Sequence, residues 1–115
     1  MPWGIEHPDV IDLVTENDEE GVVRLIVTGP DKWVGSANEQ RLLEAKVAAY
    51  LEVVNSGTLY EYYPDARLRR VMIQLDLQET PPESTQRTID RLIEHAGAEH
   101  GISLRVFDLN LNDYV

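Results

Sequence analysis

The sequence predicts an α+β domain built as a two-layer sandwich, in the order ββαβαβ, with two helices on one face of a sheet of about four strands. Three observations predict it. The stretches SANEQ at 36–40 and TPPES at 80–84 each carry a helix capping box, and apolar residues at helical spacing follow both. VMIQLDLQ at 71–78 alternates apolar and polar residues with the period of a half-buried strand. Two β-branched runs near the N-terminus, split by a polar segment, read as a hairpin.

Residues 1–8 hold two prolines and a glycine and form a loose lead-in to a single domain over 1–115. From Asp9, VIDLVT and GVVRLIVT flank ENDEE, giving a hairpin with a longer loop closed by Gly21. The second run is apolar on both phases, Val22 and Ile26 on one and Val23, Leu25 and Val27 on the other, as in a central or doubly covered strand. Ser36 and Glu39 then start a helix near 37–55. Its stripe is Leu43, Val47, Tyr50, Leu51 and Val54, while Arg41, Glu44, Lys46 and Glu52 take the other faces, and Gly57 is its left-handed stop. Thr58–Tyr63 is expected to be extended or turning, leading to Pro64. After the 71–78 strand, Thr80 and Glu83 cap a helix near 81–96 with Pro81 in its first turn. Ile89, Leu92, Ile93 and Ala96 form its stripe, and Gly97 or Gly101 ends it. The last strand begins at Ile102, and a bulge near Val106 is expected where the apolar phase switches to Phe107, Leu109 and Leu111.

Composition narrows the function classes. With 10 Lys and Arg against 21 Asp and Glu, the chain carries −11, a field that repels phosphate backbones and anionic lipid. Nucleic acid and membrane are therefore not expected partners; a basic protein or a small cation is. The absence of cysteine removes thiolate chemistry and disulfides and suits a reducing cytoplasm. MPWGIEHPDV has no basic region followed by an apolar stretch, and no apolar run approaches the roughly 20 residues of a membrane helix.

No reaction is written in the motifs. His95 and His100 are five apart, on different faces of a helix, and neither they nor His7 have metal-ligand spacing. ENDEE and DLNLND are acid-rich without the order of a calcium loop, and Asp9 and Asp12 would need a pocket to act as a catalytic pair. The glycines form neither G-x-G-x-x-G nor a P-loop, and no serine lies in G-x-S-x-G. The expectation is no catalytic residue, no cofactor and no metal.

NSGTLYEYYPDA at 55–66 holds three of the chain's five tyrosines. A ring with a hydroxyl at its tip suits a boundary site, with its apolar body inward. One reading has two of the three rings closing the sheet edge beneath the helix end. The other makes the exposed remainder, with Trp33, a contact patch. The candidate partner contacts are Trp33, Tyr62, Tyr60, Tyr63 and, within ARLRR, Arg67; of these Tyr60 and Tyr63 are expected to be mainly structural, and Tyr62 and Trp33 exposed.

DVID at 9–12, VVRLIVTGPDKW at 22–33, EQRLLEAKVAAYLEVVNSG at 39–57 and YEYYPDARLRRVMIQL at 60–75 resemble a family of small uncharacterised bacterial proteins. The family's pattern is a DVID-type strand, an acidic residue before a tryptophan, a helix end in Y-L-x-x-x-x-S-G and a Y-x-x-Y-P segment. The resemblance covers about 9–77 and implies no substrate or cofactor. It singles out Trp33, Gly57, Tyr60, Tyr63 and Pro64. The chain departs from the pattern at GPDKW, and at Gln40, where histidine is common in the family. Together these readings give a noncatalytic, cytoplasmic binding or protein-interaction domain, with another protein or a second copy as partner. The alternative is an acidic inhibitor or immunity-type protein that neutralises a basic partner; an enzyme is the third and least supported class.

Overall fold

The computed structural model describes residues 4–7, 11–17, 19–64, 66 and 69–115. Its elements are β1 (Leu13–Asn17), β2 (Val22–Thr28), α1 (Ala37–Asn55), α2 (Thr58–Tyr62), β3 (Arg70–Leu77), α3 (Glu83–His100), β4 (Ser103–Asp108) and β5 (Asp113–Tyr114). The strands form one mixed sheet in the order β1-β2-β3-β4-β5. β1 and β2 form the expected antiparallel hairpin, but its first strand starts at Leu13 and takes in Glu16 and Asn17, which were expected in the loop; β2, β3 and β4 run parallel, and β5 folds back antiparallel on β4.

The class is therefore α+β, with five strands where four were expected and three helices where two were. The fifth strand comes from DLNLND. The Asp108 carboxylate accepts from the N–H groups of Asn110 and Leu111, and Asn112 takes a left-handed φ of 54°, so the chain reverses in a tight turn. No bulge interrupts β4, whose register with β3 is continuous from Met72↔Ser103 to Leu77↔Asp108. The switch in apolar phase has another cause. Phe107 takes the sheet's other face and meets the Tyr114 ring edge-on, while Leu109 and Leu111 occupy the exposed turn.

One face of the sheet holds the core. Val23, Leu25, Val27, Ile73, Leu75, Leu104 and Val106 share a cluster with Leu43, Val47, Tyr50 and Leu51 of α1 and Ile89 and Ala96 of α3, so both long helices cover that face. The opposite face carries no helix among the described residues. β2 lies between β1 and β3, which explains its apolar residues on both phases.

The helix starts differ in detail from their sequence signals. At α1 the Ser36 hydroxyl accepts from the Glu39 N–H, but the buried Glu39 carboxylate reaches past Ser36 to the N–H groups of Val34 and Gly35. At α3 the expected Thr80 capping box is absent. Pro82 is the N-cap, with extended ψ and no side-chain cap, and the helix starts later and runs on to His100, where Gly101 in left-handed geometry ends it.

Candidate functional site

The most consequential residue the sequence misplaces is Lys46, assigned to a solvent face yet buried. Its side chain is 0% exposed and that of its partner Asp12 is 1% exposed, with 2.8 Å between Nζ and Oδ1. Lys46 also donates to the His7 carbonyl, and its ammonium lies 5.5 Å from the centre of the Tyr50 ring. Asp12 accepts from the N–H groups of Gly4 and Thr28, and its own N–H donates to the Tyr50 hydroxyl, which donates to the Ile26 carbonyl. Burial pushes the Tyr50 hydroxyl pKa well above its ordinary value. The second acid of DVID thus ties the N-terminal segment, the end of β2 and α1 together. Its side chain is almost wholly enclosed, at the floor of the groove described below. A signal for Lys46 was present: it follows Leu43 by three and precedes Tyr50 by four, which is the spacing of the apolar stripe. Asp9, its suggested catalytic partner, lies outside the described residues.

The tyrosine segment is helical where extended chain was expected. Gly57 adopts φ 84°, the Ser56 hydroxyl accepts from the Thr58 N–H, and the chain starts a new helical turn, closed by the Tyr63 N–H on the Leu59 carbonyl. Helical spacing changes which residues face inward. Leu59 is buried, Tyr60 is half-buried against the core, and Tyr62 and Tyr63 are 77% and 38% exposed. Tyr63 was expected to be structural, but Leu59, one turn earlier, occupies the core position instead.

Trp33 was expected to be exposed, and it is not: it is 8% exposed and belongs to the core. Its indole N–H donates to the Glu79 carbonyl. The ring packs on Gly29, where a Cβ would lie 3.3 Å from it and only 2.5 Å from the Asp76 carbonyl oxygen, so glycine is required there. Trp33 is thus a pin beneath the β2 exit. Arg67 lies outside the described residues.

Tyr62 and Tyr63 instead share a groove of about 520 Å³ with Ile11, Leu13 and Val53. Leu13, 52% exposed, belongs to β1, the strand at the sheet edge. The adjoining Glu16 is paired with Arg69 at 2.9 Å, which reduces the local charge. The groove therefore joins an apolar wall, two aromatic rings and a strand edge able to accept a further strand.

His95 and His100 come together where different faces of a helix were expected. His100 closes α3, and its ring contacts that of His95 edge-on at 5.1 Å and meets the Asn55 amide at 2.7 Å, beside a groove between α1 and α3. No cluster of three or more metal-ligating His, Cys, Asp or Glu residues occurs among the described residues. Nor is any described helix long and apolar enough to cross a membrane.

The model of the family of unknown function DUF6572 matches residues 3–108. The chain belongs to this family. The DUF6572 match runs well beyond the 9–77 stretch that carried the sequence resemblance. It takes in β1 through β4, with Asp12, Lys46, Trp33 and the tyrosine groove, while β5 lies past its end. No curated protein and no solved structure matches the chain.

Proposed function

We propose that this domain is a noncatalytic protein-binding module that takes an extended, basic segment of a partner protein along the edge of β1, with Tyr62 and Tyr63 closing over it. The observation that carries this reading is the groove in which exposed aromatic rings border an edge strand. Strand addition supplies main-chain hydrogen bonds, and side-chain pockets beside the edge select alternate residues of the incoming segment. The net charge of −11 favours a basic partner and speeds its approach. That charge also suits an inhibitor of a basic protein, which would use the same groove. A cytoplasmic setting agrees with the absence of cysteine.

Calorimetry with a synthetic peptide of alternating lysine and valine tests this reading. The peptide should bind saturably, Tyr62→Ala and Leu13→Lys should each weaken binding about tenfold or more, and an alternating glutamate–valine peptide should not bind. Equal affinity for the native and Tyr62→Ala proteins would reject the site. Dimerisation of the chain alone, abolished by Leu13→Lys in sedimentation equilibrium, would replace the basic partner with a second copy.

A further inference from the structure

The face of the sheet without helices concentrates positive charge in an acidic chain. Along that face Val22 is opposite Arg70, Arg24 is opposite Met72 and then Ser103, and Ile26 is opposite Gln74 and then Arg105. With strands about 4.8 Å apart and same-face residues about 7 Å apart along each strand, the three arginines ring Met72. They line one groove of about 560 Å³ together with Glu20, Met72 and Tyr114.

The cluster is held in place from behind. The Tyr114 hydroxyl accepts from Arg24 Nε at 3.1 Å and donates to Gln74 Oε1 at 2.6 Å, and the Gln74 amide donates to Asp76. The Arg105 guanidinium covers the Tyr114 ring at 4.1 Å. Glu20 holds the far end of Arg24 at 2.6 Å. Arg70 and Arg105 are exposed and form no salt bridge among the described residues, although the chain has 21 acidic residues to 10 basic ones. Surface arginines in so acidic a chain would ordinarily find carboxylates.

We infer that this face is a binding site for a small-molecule phosphate monoester with an apolar body, its phosphate held between Arg24, Arg70 and Arg105 and its body on Met72 and Val22. Three guanidinium charges less the Glu20 carboxylate leave +2 in the lining, which matches the charge of a phosphate monoester near neutrality. Its three terminal oxygens suit three guanidinium groups, whereas a carboxylate offers two. The groove has the size of a small-ligand site. Tyr114 is a positioning residue, fixing Arg24 through its hydroxyl and Arg105 through its ring.

Titration of the full chain with phenyl phosphate, followed by the arginine Nε–H resonances in NMR, tests this. The signals of Arg24, Arg70 and Arg105 should move saturably, with Kd at or below about 1 mM. Arg70→Gln and Arg105→Gln, both at exposed positions, should each weaken binding about tenfold, while Arg87→Gln on α3 should leave it unchanged. Tyr114→Phe should weaken binding and broaden the Arg24 signal while leaving the Arg105 signal in place. Benzoate and inorganic phosphate should bind more weakly than phenyl phosphate. The inference fails if no signal moves by about 10 mM ligand, or if Arg87 moves with the other three. It also fails if either weaker ligand binds as tightly as phenyl phosphate, since phosphate and body are then not read together.

Discussion

Replacing Lys46 with methionine removes a buried charge at nearly constant side-chain length, so little of the effect comes from a cavity. Nζ gives up its bonds to Asp12 Oδ1 at 2.8 Å and to the His7 carbonyl at 2.7 Å. Asp12 keeps two backbone donors, Gly4 and Thr28, but its carboxylate, with a side chain only 1% exposed, loses its counter-charge. Breaking one side of a buried pair costs about 3–5 kcal/mol, a large part of the 5–15 kcal/mol that holds an ordinary domain together. Urea melts of Lys46→Met should therefore show a much lower midpoint at an unchanged slope. The double variant Asp12→Ala/Lys46→Met should cost at least about 2 kcal/mol less than the sum of the two single variants, because the second change removes the stranded partner. A Lys46→Met cost below about 1 kcal/mol, or strict additivity in the cycle, would refute the account of Asp12 and Lys46 as the tie between the N-terminal segment, the end of β2 and α1.

Three further outcomes follow from the same contacts. Tyr50→Phe keeps the buried ring but strands the Asp12 N–H and the Ile26 carbonyl, so chemical denaturation should show a loss of about 1–3 kcal/mol. Leu59→Ala should cost about 2–5 kcal/mol in the same assay, and Tyr62→Ala less than about 1 kcal/mol, because α2 turns Leu59 inward and Tyr62 outward. Desolvation raises the Asp76 pKa against the opposing Gln74 hydrogen bond, so the folded state holds that proton to higher pH than the unfolded chain. Stability then declines as pH rises from the ordinary aspartate value of 3.8 through the raised folded-state value. Asp76→Asn, which keeps an acceptor for Gln74, should be more stable than the native protein at neutral pH, and melts across the acid range should show that gain vanish as pH falls through this window.

Patterns carried by periodicity were legible in the sequence. The hairpin, the 71–78 strand and both long helices were read correctly, because each buries one face against a single core. What failed were the places where a polar contact or a local turn overrides the pattern. Lys46 sits at the spacing of the apolar stripe, but a lysine is buried there only because of a carboxylate 34 positions away. Trp33 lies in a loop of turn residues, and its burial depends on how closely the glycine at 29 lets the end of β2 approach β3. The tyrosines follow helical spacing only because Ser56 and Gly57 start a second helix after the first has ended. The arginine face was missed for a topological reason. Arg24, Arg70 and Arg105 are scattered in sequence, and only the parallel order β2-β3-β4 brings them onto one surface.

The central functional claim is that β1 accepts a further strand beside Tyr62 and Tyr63. Amide hydrogen exchange on Leu13–Asn17, measured with and without saturating lysine–valine peptide, tests it most directly. Strand addition pairs the outward N–H groups of β1, so their exchange should slow markedly on binding while that of the α1–α3 groove stays constant. Unchanged exchange in β1, with the peptide bound, would contradict the account and place the contact elsewhere on the acidic surface.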